Sequence, residues 1–402
     1  MGKRVVITKQ NIKGSKYLVT ALFEDHRMME VSCDDAGENA LLGNIYIGKI
    51  KGIAEKIGAA FVEIAPGQMS YLPLGDVKDP LMVKQCRQGK LTAEDEIVVQ
   101  VTKEAVKTKD PAVSTNISLK GNAFVLTSEN KKFGISKKLP DEKREYFQTL
   151  FAGKTIGKND CEFGLIVRTN AVNYSKEQLF REFEDLSGKF QRLKETYRHR
   201  TCYSCLYYAP PGYVTSVRDY LSMHLEKIVT DDADVYNILH MSFLEEDIVK
   251  DGKLILYDDP ALSLSALYGL MSKLEEAFHE RVWLKSGAYL VISPTEALTV
   301  IDVNSGKCTK GSAEDFYLKV NEEAAEEIAR QLRLRNISGI CIVDFINLDT
   351  KEAEEKLIRT LRRYLAEDTI PAVFVDFTKL GLAEITRKKV KKPLWEQITG
   401  KI

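Results

Sequence analysis

The sequence predicts an α+β chain of several domains, and three observations carry that reading. At 402 residues and 44% hydrophobic content, it is too long for one core and calls for two to four domains. Thr295–Leu348 reads as strand, crossover helix, strand, which implies two parallel strands of one sheet. Gly43–Val101 reads instead as short strands punctuated by glycines, which suits a small closed barrel.

Composition narrows the function classes. Lys+Arg and Asp+Glu balance at 58 each, so the chain is no blanket nucleic-acid binder and any such site must be a local patch. The opening Met-Gly-Lys-Arg-Val-Val-Ile-Thr lacks the apolar core of a signal peptide and the hydroxyl residue of a myristoylation site. No apolar run reaches the roughly 18 residues of a membrane span. Seven cysteines without a framework fit a reducing cytosol.

In chain order, Arg4–Thr8, Tyr17–Phe23 and Met28–Ser32 read as strands without chemistry. The barrel follows in Gly43–Gly52, Gly58–Ile64, Ser70–Leu74 and Asp95–Val101; its aromatics Phe61 and Tyr71 are core residues if buried and base-stacking platforms if exposed. Lys103, Lys107 and Lys109 trail the last strand, either flanking a phosphate backbone or solvating a loop. Arg168-Thr169 sits at the end of Gly164–Thr169. An arginine beside a hydroxyl makes a compact donor pair for a phosphate monoester, and equally an ordinary surface pair. Ser175–Tyr197 reads as a helix with a core stripe through Leu179, Phe180, Phe183, Leu186, Phe190 and Leu193. Cys202-x-x-Cys205, with His199 nearby, has zinc-ligand spacing but no second pair, so zinc is not expected. Pro210-Pro-Gly212 marks a boundary before mixed helical stretches at Tyr213–Met223, Val235–Ile248 and Ser263–Phe278, with a strand at Lys253–Tyr257.

Ala297–Asn304 is β-branched and apolar, the pattern of a strand covered on both faces, and Asp302 interrupts it. A period of two puts Asp302 and Asn304 on one face at the C-terminal end. A loop over Ser305–Gly311 leads to a helix through Leu318, Ala325, Ile328 and Leu332 that should stop near Ser338-Gly339; Ile340–Ile346 is a second apolar strand carrying Asp344. Parallel strands end on the same edge, so both aspartates open onto one crevice. A lone carboxylate in an apolar strand costs several kcal/mol, roughly, unless compensated. Two at matching positions suggest a shared cation, and hard oxygen donors without histidine or thiolate favour Mg²⁺. The pattern alone also allows two aspartates that cap loops or pair with arginine. Beyond them, Glu354–Tyr364 is a basic amphipathic helix, Ala372–Phe377 a third strand whose Asp376 reads as structural, and Gly381–Lys392 a basic tail.

Glu296–Ser305, Asn321–Arg335 and Gly339–Ile346 together resemble the catalytic domain of the bacterial ribonuclease E/G family. The resemblance implies that Asp302 and Asp344 hold Mg²⁺, with Mn²⁺ as a substitute, and that Asn304 orients them in catalysis. It implies RNA contacts from Phe61 and Tyr71 in an S1 domain and from Lys103 and Lys109, Lys107 not carrying over. It further implies a 5′-monophosphate sensor made of Arg168, Thr169 and Val125. The fold it implies is an α+β multidomain chain: a ribonuclease H-like subdomain (1–34 and 215–279) interrupted by an S1, oligonucleotide-binding barrel (35–118) and a 5′-sensor region (119–214). A deoxyribonuclease I-like α/β catalytic subdomain (280–402) follows. The expected activity is Mg²⁺-dependent hydrolysis of single-stranded, 5′-monophosphorylated RNA in rRNA processing and mRNA decay, in the cytoplasm and away from membranes. The chain has no cysteine after Cys341. The Cys-Pro-x-Cys segment that shares zinc between subunits in family members is therefore missing, a zinc-linked dimer is not expected, and the oligomeric state stays open. Two other classes remain: a non-catalytic S1-type RNA-binding or ribosome-assembly factor, and a magnesium enzyme acting on a small phosphorylated metabolite.

Overall fold

A computed structural model describes residues 2–36, 41–87, 89–105, 110–129, 131–151, 163–244, 246–306 and 313–399. The chain forms two compact units, one made of 1–38 and 225–402, the other of 39–224.

The first unit begins with β1 (Lys3–Ile12), β2 (Ser15–Glu24) and β3 (Arg27–Asp35), an antiparallel meander. Lys13 and Gly14, both at positive φ, make the tight first turn, whose twist matches the flanking strands.

The second unit opens with β4 (Ile45–Ala54), β5 (Ala59–Ala65), β6 (Gln68–Pro73), β7 (Met82–Lys84), β8 (Glu96–Lys103) and β9 (Ala112–Ser114). β4, β5, β6, β9 and β8 pair in that order, and β8 pairs back onto β4, so five strands close into a barrel. Gly48 makes the closure possible: a Cβ there would stand 2.5 Å from Val62 Cγ1. A smaller sheet follows, ordered β10 (Ser118–Lys120), β11 (Phe124–Thr127), β13 (Gly164–Val167), β12 (Phe133–Ile135). Around it lie α1 (Asp141–Phe151) and α2 (Lys176–Thr196); Ser175 and Gln178 form a capping box at the start of α2. The predicted stripe of α2 is core: Leu179, Leu186, Phe190 and Leu193 are buried, with Phe180 and Phe183 packed beside them. Ile45 and Val98 of the barrel join that same cluster, and β14 (Cys205–Tyr207) pairs with β4, so barrel and small sheet form one body. α3 (Gly212–Tyr220) ends the unit.

Back in the first unit, β15 (Leu225–Thr230) and β16 (Leu254–Leu256) add in parallel to β1, with α4 (Ala233–Ser242) and α5 (Asp247–Lys250) between them. α6 (Leu264–Leu267) and α7 (Leu270–Glu276) follow. A six-stranded sheet then runs β17 (Arg281–Trp283), β18 (Tyr289–Pro294), β19 (Leu298–Asn304), β20 (Gly339–Asp344), β22 (Ala383–Arg387), β21 (Ala372–Phe377). Its core forms where Ile301, Val303, Cys341 and Val343 meet α8 (Ala313–Leu334) and α9 (Lys351–Leu365). α10 (Leu394–Thr399) returns to the N-terminal meander, where the Tyr17 hydroxyl donates to the Ile398 carbonyl at 2.9 Å.

The expectation that β19 is covered on both faces is corrected. Burial alternates strictly along it: Thr299, Ile301 and Val303 are buried, whereas Val300 is exposed and Leu298, Asp302 and Asn304 are half-buried. In β20 likewise, Cys341 and Val343 are buried while Ile340 and Asp344 are exposed. Among the described residues, α8 and α9 pack on the face of buried side chains, and aliphatic residues on the opposite face hid the alternation.

Candidate metal centre and nucleic-acid surfaces

β19 and β20 run parallel with Asp302 directly opposite Asp344. In-register neighbours point to the same face, so the two carboxylates stand side by side at the sheet's open face. Asn304, two residues on, shares that face and donates from Nδ2 to Asp302 Oδ2 at 2.7 Å, fixing the carboxylate. α8 holds the following chain: the buried Asn321 donates to the Ile346 carbonyl at 2.7 Å and accepts the Ile346 N–H at 3.1 Å. Gly306 carries the chain out of β19 in the left-handed region, where a Cβ would lie 2.6 Å from the Gly287 carbonyl oxygen.

Asp344 is exposed and Asp302 half-buried, so neither side chain is enclosed in the apolar interior. The case for a cation therefore rests on pairing, not burial. Two adjacent carboxylates backed by an amide and open to solvent suit a hard cation that keeps most of its waters. No group of three or more His, Cys, Asp or Glu arranged to hold a metal occurs among the described residues, so a cation here depends on this pair. Asp376, read as structural, is exposed and accepts the Phe377 N–H at 2.8 Å.

On the barrel, Phe61 and Tyr71 are directly opposite on β5 and β6, Tyr71 pairs with Ala112, and Ala112 pairs with Lys103. The four form one row on the outer wall, the two rings half-buried and Lys103 exposed. Lys109 lies outside the described residues. Sequence reading missed the clamp beside this row: Tyr203 donates to Glu63 Oε2, which with the Gly67 N–H and Lys51 holds the Glu63 carboxyl down at about 2.

On the small sheet, Val125 faces Ile166, which is exposed. Arg168 donates from Nη1 to the Gly121 carbonyl at 2.8 Å and from Nη2 to Asp219 on α3. Thr169 and Ser136 hydroxyls are 3.1 Å apart. Asp219 and Ser136 were not anticipated. Arg218, next to Asp219, donates to Asn122 Oδ1 and the Lys120 carbonyl, so α3 holds both the guanidinium and the adjoining loop. Cys202 and Cys205 are half-buried free thiols, pushed up by that burial, and Cys205 Sγ donates to the Tyr207 carbonyl.

Fold and sites together define a class: an α+β protein that joins a closed five-stranded barrel to a sheet ending in paired carboxylates. The Ribonuclease E/G family profile matches residues 118–390. Ribonuclease G of Haemophilus influenzae is 30% identical over 93% of this chain and 78% of its own length. Ribonuclease E of the same organism is 29% identical over 98% of this chain, and that of Escherichia coli 30% over 98%. The chain spans 42% and 37% of the length of those two ribonucleases E. The chain belongs to the ribonuclease E/G family.

Proposed function

We propose that the protein is an endoribonuclease that hydrolyses phosphodiesters of single-stranded RNA with Mg²⁺, in rRNA processing and mRNA decay in the cytoplasm. The observation that carries the reading is the register that sets Asp302 against Asp344 on an open sheet face, in a chain of this family. Asp302 and Asp344 would hold the metal, and Asn304 keeps the Asp302 carboxylate in place through its 2.7 Å hydrogen bond. When bound, Mg²⁺ supplies water activation for in-line attack and neutralises charge on the phosphorane-like transition state. The water oxygen bonds to phosphorus and the P–O3′ bond breaks, leaving a 3′-hydroxyl and a 5′-phosphate. Phe61 and Tyr71 stack bases while Lys103, with Lys109, meets phosphates. Arg168 and Thr169 grip a 5′-monophosphate and Val125 packs the first nucleotide, so a monophosphorylated end favours the active complex.

The reading assigns 1–34 and 215–279 to a ribonuclease H-like subdomain, 35–118 to an S1 domain, 119–214 to the sensor region and 280–402 to a deoxyribonuclease I-like catalytic subdomain. The closed barrel supports the S1 assignment. No described helix is long and apolar enough to cross a membrane.

The test is cleavage of a 5′-monophosphorylated single-stranded oligonucleotide with Mg²⁺ or EDTA. Product should form only with the metal. Asp302→Asn and Asp344→Asn should each cost several orders of magnitude in rate while RNA binding stays nearly intact. Either variant retaining more than about a tenth of wild-type rate would remove the assignment.

A further inference from the structure

Beside the acid pair, the open sheet face carries an aromatic patch that lies outside the hydrophobic core. Trp283, Tyr289 and Asn304 are in register across β17, β18 and β19, and Arg281, Val291, Asp302 and Asp344 form the next row. In-register neighbours lie about 5 Å apart on one face. Tyr289 therefore adjoins Asn304, and Trp283 stands one strand further out, on the edge strand. The two ring centroids are 5.2 Å apart. The Arg281 guanidinium lies 4.6 Å from the Tyr289 centroid and 5.8 Å from that of Trp283.

Neither ring belongs to the hydrophobic core of this sheet, and Trp283 is 63% exposed. An exposed tryptophan forgoes the largest burial gain of any side chain, so its position needs another reason. Arg281 is exposed too, and no described carboxylate pairs with it. The turn between β17 and β18 is tied down: Glu323 of α8 accepts the Lys285 and Ser286 N–H groups. A rigid π platform with an unneutralised guanidinium, continuous with the paired carboxylates, fits a ligand that has both a flat base and a phosphate.

We infer that Trp283, Tyr289 and Arg281 form a stacking subsite for one base of single-stranded RNA close to the scissile phosphodiester. Trp283 takes the base and Arg281 the adjacent phosphate. The inference rests on the nuclease reading but can be tested separately from it. In an Asp344→Asn chain, a ten-nucleotide single-stranded oligoribonucleotide should quench tryptophan emission saturably, and the quench should vanish in Asp344→Asn/Trp283→Phe. The second tryptophan, Trp395, packs against the core and serves as the unchanged background.

In the active chain, Trp283→Ala should raise KM about tenfold or more, and Trp283→Phe should restore most of the loss. The Trp283→Ala penalty should disappear on a substrate made abasic at one position near the cut, a coupling that a merely structural role would not produce. Absence of quenching at concentrations where fluorescence anisotropy shows the oligonucleotide bound, or an unchanged KM in Trp283→Ala, overturns the subsite while leaving the nuclease reading standing. If the wild-type chain cuts no RNA, the nuclease reading fails, and quenching with the abasic series still decides the subsite.

Discussion

Arg168 commits two of its five N–H donors to the protein, one to the Gly121 carbonyl and one to Asp219. The remaining donors are what a terminal phosphate would use, and Asp219 sets the direction in which they point. Because α3 also grips the loop through Arg218, the guanidinium is held on both sides before any ligand arrives. Asp219→Ala should therefore lower the ratio of initial cleavage rates on 5′-monophosphate and 5′-hydroxyl substrates toward unity, as Arg168→Ala should. A ratio unchanged in Asp219→Ala would show that Arg168 needs no such support. The Arg168-Thr169 dipeptide was readable as a donor pair, but its orienting carboxylate lies 51 residues further along the chain, and nothing in either segment announces the other.

The β19–α8–β20 element was legible because its signals are local: apolar runs of strand length, a 3.6-residue pattern between them, and one carboxylate at each strand end. Its open face was not legible, because Val300, Ile340 and Ile342 stand there with Val373 beyond them, and aliphatic residues on both faces read as double cover. Trp283 and Tyr289 were passed over for a different reason: membership of a row is set by register and not by spacing. The far side of the sheet is fastened by a buried ion pair that sequence could not show. Arg387 on β22 donates to Asp368 at 2.7 Å, both side chains 3% exposed, and also to Asn336 Oδ1. Removing one partner strands the other charge in the interior, so Asp368→Ala should lower unfolding free energy by about 3–5 kcal/mol. Denaturant titration checks this, and a loss under about 1 kcal/mol would mean that water reaches Arg387 readily.

At the scale of the whole molecule, four hydrophobic clusters of the described residues each fall within a single unit. Ile45, Phe124, Phe147, Leu179 and Phe190 belong to one cluster, and Ile50, Val62, Leu72 and Val99 to another, all within 39–224. The other unit has its own: Ile301, Ile328 and Val343 in one cluster, and Val6, Val19, Leu274, Leu334 and Leu394 in a second that joins the first strands to the last helices. A segment that contains its own cores can fold alone, whereas the discontinuous unit must gather both ends of the chain before its second cluster closes. Residues 39–224 expressed by themselves should thus unfold in a single cooperative transition and keep near-ultraviolet circular dichroism. They should also bind single-stranded RNA without Mg²⁺, through the Phe61, Tyr71 and Lys103 row, and cut none of it. A gradual, non-cooperative melt would show that the clusters of this unit depend on the rest of the chain. Cleavage by the isolated segment would place the chemistry somewhere other than Asp302 and Asp344.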